Sequence, residues 1–135
     1  MDAKCDLITI PVNCVGVMGA GLAKQFKSRH HDSFLRYKEK CDRGVIKPGY
    51  LYIDDTGGFL FFPTKRHWKS YSRFTDIMKG IESLQYLLED DVFKHRYQSI
   101  AMPKVGCGLG GLEWSDVRPL FNRFAGFRQE IWLYE

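Results

Sequence analysis

Residues 6–15 read DLITIPVNCV, an apolar, β-branched run that predicts a buried strand. A glycine-rich loop follows, Gly16-Val17-Met18-Gly19-Ala20-Gly21, and from Leu22 the apolar positions take helical spacing through Ala23 and Phe26. His31-Asp32-Ser33 breaks that pattern and starts a second helix carrying Phe34, Leu35 and Tyr37, which Gly44 stops. Pro48-Gly49 turns the chain into a strand at residues 50–53, and Asp54-Asp55-Thr56-Gly57-Gly58 is a hairpin signal leading to residues 59–62. Pro63-Thr64-Lys65 closes that strand. A helix over residues 74–89 sets Ile77, Ile81, Leu84, Leu87 and Leu88 on one side. Residues 99–105 form another strand, and a second loop follows, Gly106-Cys107-Gly108-Leu109-Gly110-Gly111. A helix over residues 114–124 and a closing strand over residues 130–134 complete the chain. Strands and helices mostly alternate, so the expected architecture is α/β, a mixed sheet with helices on both faces.

The 135 residues predict a single domain spanning 1–135, with 44% apolar and 27% charged residues and no sign of disorder. No apolar run reaches the roughly 18 residues of a membrane span, so no membrane partner is expected. Met1-Asp2-Ala3-Lys4-Cys5-Asp6 is polar and carries two acids, unlike a secretory signal, which points to the cytoplasm. Cys5, Cys14, Cys41 and Cys107 form no C-x-x-C pair, and the four histidines form no H-x-x-x-H pattern. Neither a metal site nor a disulfide framework is expected, and no cofactor. The net charge of +4 favours a phosphate-bearing or polyanionic partner. Lys24, Lys27 and Arg29 form one basic cluster, and Lys65, Arg66, Lys69 and Arg73 another; each alone reads as a solvated face.

The two glycine loops change that picture, because each follows a strand and precedes a helix. Backbone N–H groups converge at such a junction, the helix dipole adds positive charge, and glycine lets a ligand approach the main chain. One such loop alone is an ordinary tight turn. Two together suggest one site gripped from two sides at the strand ends. The second loop fits G-x-G-x-x-G literally, yet it lies too close to the C-terminus to open a dinucleotide-binding unit, so a Rossmann fold is rejected.

Residues 12–21, VNCVGVMGAG, followed by Lys24-Gln25-Phe26, resemble the macrodomain superfamily, as do residues 102–114, MPKVGCGLGGLEW. Residues 62–68, FPTKRHW, draw the similarity toward its branch of DarG-like and human terminal ADP-ribose glycohydrolases. The resemblance runs from about residue 4 to the end and implies a three-layer macrodomain. It implies that Asn13 holds the distal ribose, that Gly16, Val17, Met18, Gly19, Ala20 and Gly21 cover the ribose and diphosphate, and that Pro103, Gly106, Cys107, Gly108, Leu109 and Gly110 hold the phosphates. In the glycohydrolase branch a lysine at the end of the central strand acts on the anomeric carbon, and Lys65 matches it. Trp68 and Trp114 are expected to pack rather than stack on a base.

Two departures qualify the resemblance. The human enzyme carries a catalytic aspartate in the second loop where this chain has Gly110. Family members also begin with a strand ending in Gly-Asp-Ile or Gly-Asn-Leu that helps seat adenine. This chain starts just after that point, so the N-terminal strand is expected to be shortened or absent, with Asp2 or Asp6 as the nearest substitutes. The expected function is a monomeric ADP-ribosyl glycohydrolase that removes ADP-ribose from a modified macromolecule, with ADP-ribosylated DNA as the expected substrate. The rivals are an ADP-ribose 1″-phosphate phosphatase and an ADP-ribose binding module without turnover.

Overall fold

The computed structural model describes residues 5–134. Strand β3 (Phe59–Lys65) shows how the layers arise. Phe59 and Phe61 on one face join Phe26 of α1 (Gly21–Arg29) and Phe34 and Tyr37 of α2 (His31–Asp42). Leu60 and Phe62 on the other face join Ile77, Ile81, Leu84 and Leu88 of α3 (Phe74–Glu89). A strand apolar on both faces must lie between two helical layers, and it does. The second core is extended by Phe93 of α4 (Asp91–Arg96) and Val117 of α5 (Trp114–Val117).

The sheet also contains β1 (Leu7–Asn13), β2 (Tyr52–Asp54), β4 (Ser99–Pro103) and β5 (Glu130–Tyr134), in the order β2-β3-β1-β4-β5. Only β2 runs antiparallel to its neighbour. The carboxyl ends of β1, β3, β4 and β5 therefore point the same way, and both glycine loops leave from that edge.

Several elements depart from the sequence reading. The helix expected over residues 114–124 is four α-helical residues followed by a 3-10 segment, Arg118–Phe124. Pro119 has no N–H for the residue 115 carbonyl, and its ring crowds that carbonyl, so the α-helical ladder cannot continue. Helix α4 was not anticipated. Strand β3 runs through Pro63 and ends at Lys65, where the sequence reading closes it. The shortened N-terminal strand and the role considered for Asp2 lie outside the described residues. Asp6 accepts a hydrogen bond from the Gln98 amide at the start of β4. That is the opposite end of β1 from the glycine loops, about 20 Å away at strand rise, so Asp6 is no substitute for an adenine contact there.

Candidate functional site

The strand ladder fails where the loops begin. The ladder between β1 and β4 is confined to Leu7 and Ile8 opposite Ile100 and Ala101. Pro11, three residues on, has no N–H to donate to a neighbour. Beside it the β1–β3 register slips between Val12 and Asn13, so that Val12 faces Pro63 but Asn13 faces Lys65. Thr64 is the extra residue of this bulge, and its hydroxyl donates to the Val12 carbonyl at 3.5 Å. A bulge re-aims the side chains beyond it, here Lys65. A pocket of about 550 Å³ lies at these strand ends, within the range of small-ligand sites.

The first loop forms one wall, and Asn13 shapes it. Asn13 is 8% exposed. Its Nδ2 donates to the Val17 carbonyl at 2.8 Å, and its Oδ1 accepts from the amides of Val15 and Val17 at 3.1 and 3.2 Å. The buried Tyr37 hydroxyl donates to the Asn13 carbonyl at 2.7 Å, and burial pushes the phenol's pKa up. Asn13 is thus foremost the brace of the loop, with one of its two Nδ2 hydrogens left to offer a ribose. Gly16 takes φ +80° against Lys38 and Cys41, a backbone that favours glycine. The loop runs into α1, whose first amides lie at Gly21.

The second loop is built differently from expectation. Gly108–Gly110 is one 3-10 turn, Cys107 and Leu112 pair as an isolated bridge, and α5 begins only at Trp114 with four residues. Such a short, displaced helix lends this loop no appreciable dipole, so charge complementarity here must come from side chains. Lys65 and Lys104 line the pocket, and among the described residues no Asp or Glu does. Arg66 does not add to them: it forks onto the buried carboxylate of Asp76 at 3.0 Å on both arms. Burial raises the Cys107 thiol's pKa, which keeps that wall neutral.

Of the residues singled out from sequence, Asn13, Val17, Met18, Gly19, Ala20, Lys65, Gly106, Cys107, Leu109 and Gly110 line one pocket. Gly16, Gly21, Pro103 and Gly108 sit in the adjoining backbone without lining it. Pro11, Val12, Ala23, Thr64, Trp68, Ser72 and Lys104 line it as well and were not singled out as contacts. Trp68 is 48% exposed, stacked on His67 and covered by the Lys69 ammonium at 4.9 Å, instead of packing inward. Trp114 is half-buried against Phe121, as expected. Among the described residues no group of three or more His, Cys, Asp or Glu could hold a metal ion.

A family model described as "Macro domain" matches residues 10–121. The DNA ADP-ribosyl glycohydrolase of Thermus aquaticus is 34% identical over an alignment of 143 residues, which covers all of this chain and 39% of that protein. The chain therefore spans about two-fifths of that relative's length. Among solved structures, the macrodomain of Mycobacterium tuberculosis DarG superposes with a TM-score of 0.85 at 34% identity, covering 98% of this chain and 90% of that one. Thermosipho africanus DarTG in complex with ADP-ribose superposes with a TM-score of 0.77 at 36% identity, covering 98% of this chain and 39% of that one.

Proposed function

The chain belongs to the Macro domain family, and from that membership we propose that it is an ADP-ribosyl glycohydrolase that releases ADP-ribose from modified DNA. The observation that carries this reading is the placement of Lys65 by the β1–β3 bulge in a pocket that two lysines, and no carboxylate among the described residues, line. Lys104 suits a diphosphate, which leaves Lys65 for the ribose carbon. With no acid among the described lining residues to activate water, the Lys65 amine is the group placed to attack carbon. The names of the relatives, one of them solved with ADP-ribose, support the same substrate. The relatives named as DNA ADP-ribosyl glycohydrolases support DNA over protein.

In this mechanism the Lys65 nitrogen displaces the base at C1″ of the distal ribose, forming a C1″–N bond and giving up a proton. The bond from C1″ to the base breaks, its electron pair leaves with the base, and the base takes up a proton. The ribosyl-lysine opens to an imine, one water hydrolyses it, and ADP-ribose and the free amine are restored.

The test sets ADP-ribosylated DNA, ADP-ribosylated protein and ADP-ribose 1″-phosphate side by side with wild type and Lys65→Ala. DNA should be cleared fastest, Lys65→Ala should lose at least about a hundredfold in kcat, and borohydride should trap an adduct on Lys65. Wild-type rates in Lys65→Ala would overturn the mechanism. A wild type that binds ADP-ribose but clears none of the three would make the chain a binding module, and clearance of the 1″-phosphate alone would make it a phosphatase.

A further inference from the structure

Ser72 lies in the segment leading into α3 and lines the pocket beneath the second loop. It is 7% exposed, and its hydroxyl has no hydrogen-bond partner among the described residues. Its amide donates to the Gly110 carbonyl at 2.8 Å, so the two segments are locked together. A Cβ on Gly110 would stand 2.5 Å from Ser72 Oγ. Gly110 is not among the glycines with positive φ, so its backbone would accept a side chain. It is the Ser72 hydroxyl that requires glycine at 110.

A buried hydroxyl without a partner is a cost to the folded protein that a bound ligand can remove. Thr9 Oγ1 is also orphaned, but Thr9 is wholly buried in β1 and does not line the pocket. Ser72 is the orphan on a residue that lines the pocket, with its hydroxyl covered by the second loop at Gly110. We infer that Ser72 is a further binding residue, whose hydroxyl bonds an oxygen of the bound ADP-ribose, and that Gly110 is there to leave it room. The inference rests on the ADP-ribose reading above. A hydroxyl both donates and accepts, so it suits a diphosphate oxygen or a ribose hydroxyl alike.

Calorimetry with ADP-ribose, ADP and ribose 5-phosphate, together with melting of the ligand-free protein, tests this on wild type, Ser72→Ala and Gly110→Ala. Ser72→Ala should melt at or above the wild-type temperature, because it deletes an unpaired polar group, yet bind ADP-ribose about three- to tenfold more weakly. Gly110→Ala should weaken binding similarly by displacing the hydroxyl, and the double variant should lose no more than Ser72→Ala alone. An equal loss for ADP and ADP-ribose puts the contact on the diphosphate; a loss for ADP-ribose and ribose 5-phosphate but not ADP puts it on the distal ribose. Either supports the inference. It is overturned if Ser72→Ala binds every ligand as wild type does, or if its melting temperature falls along with affinity, which marks a structural role. A wild type that binds none of the three removes the ADP-ribose reading itself, and the inference with it.

Discussion

Replacing Asn13 with aspartate changes one heavy atom and removes one hydrogen bond. Nδ2, which donates to the Val17 carbonyl at 2.8 Å, becomes an oxygen, while Oδ1 keeps its two amide donors. The net worth of the lost bond is about 1 kcal/mol, and two acceptors facing each other at a site only 8% exposed add about 1–3 kcal/mol. The total, roughly 2–4 kcal/mol, is large against a domain stability on the order of 10 kcal/mol. At pH 8, Asn13→Asp should melt roughly 5–15 °C below wild type and bind ADP-ribose at least about tenfold more weakly. The pH dependence has a definite sign. A proton on the new carboxyl restores the donor, so the folded state holds that proton more tightly than the unfolded chain, where the pKa is about 3.9. The raised folded pKa means that the deficit nearly vanishes below about pH 4 and grows as pH rises through the folded value. Melts of both proteins across pH 4.5–8, compared pair by pair, measure it. A difference that stays constant with pH, or wild-type binding at pH 8, would refute the claim that this amide holds the loop.

Two further outcomes follow from packing and charge away from the pocket. A Cβ on Gly80 would meet the Phe62 ring at 2.3 Å, so Gly80→Ala should lower stability by about 1–3 kcal/mol in urea melts while leaving Lys65 chemistry intact; unchanged stability contradicts the close packing of α3 on β3. Burial works to raise the Asp54 pKa, but hydrogen bonds from Arg36 and Ser33 outweigh it and hold the carboxylate below its ordinary range. That stabilisation is present above about pH 3.9 and is lost as pH falls through the lower folded value, so Arg36→Met should cost about 1–3 kcal/mol at neutral pH and flatten the acid limb of the stability curve.

The continuous apolar run Phe59-Leu60-Phe61-Phe62 is enough to read a strand, though not its burial on both faces, and the glycine loops are enough to point to the pocket. Both signals are local. Helix α4 has an equally local signal: Asp90 caps it by accepting from the Phe93 amide at 3.0 Å, and Lys94, His95 and Arg96 follow in its last turn. What sequence could not supply was proximity. Ser72 matters only because Gly110, 38 positions later in the chain, is folded against it. Trp68 reads as a core residue by type, and only the fold places it at the pocket rim. The bracing bonds of Asn13 to Val17 and Tyr37 are not legible in the sequence either, because they depend on how the loop doubles back.

Prolines explain why the pocket opens where it does. Parallel strands in the interior of a sheet ordinarily exclude proline, since each residue there owes a hydrogen bond to a neighbour. This chain places Pro11 in β1 and Pro63 in β3, in the two strands that carry the site's side chains. Their consequences meet at the same edge: the bulge beside Pro63 turns out Lys65, and β1 keeps no ladder with β4 beyond Ile8. The Thr9 carbonyl is taken instead by the Tyr134 hydroxyl at 2.5 Å, reaching from β5, and burial pushes that phenol's pKa up to about 12, so it remains a donor across the physiological range. The sheet is thus tied below the pocket and released above it. A regular ladder through residues 11–13 would satisfy more backbone groups internally, but it would leave no gap between the strand ends for a ligand and would turn Lys65 to the other face.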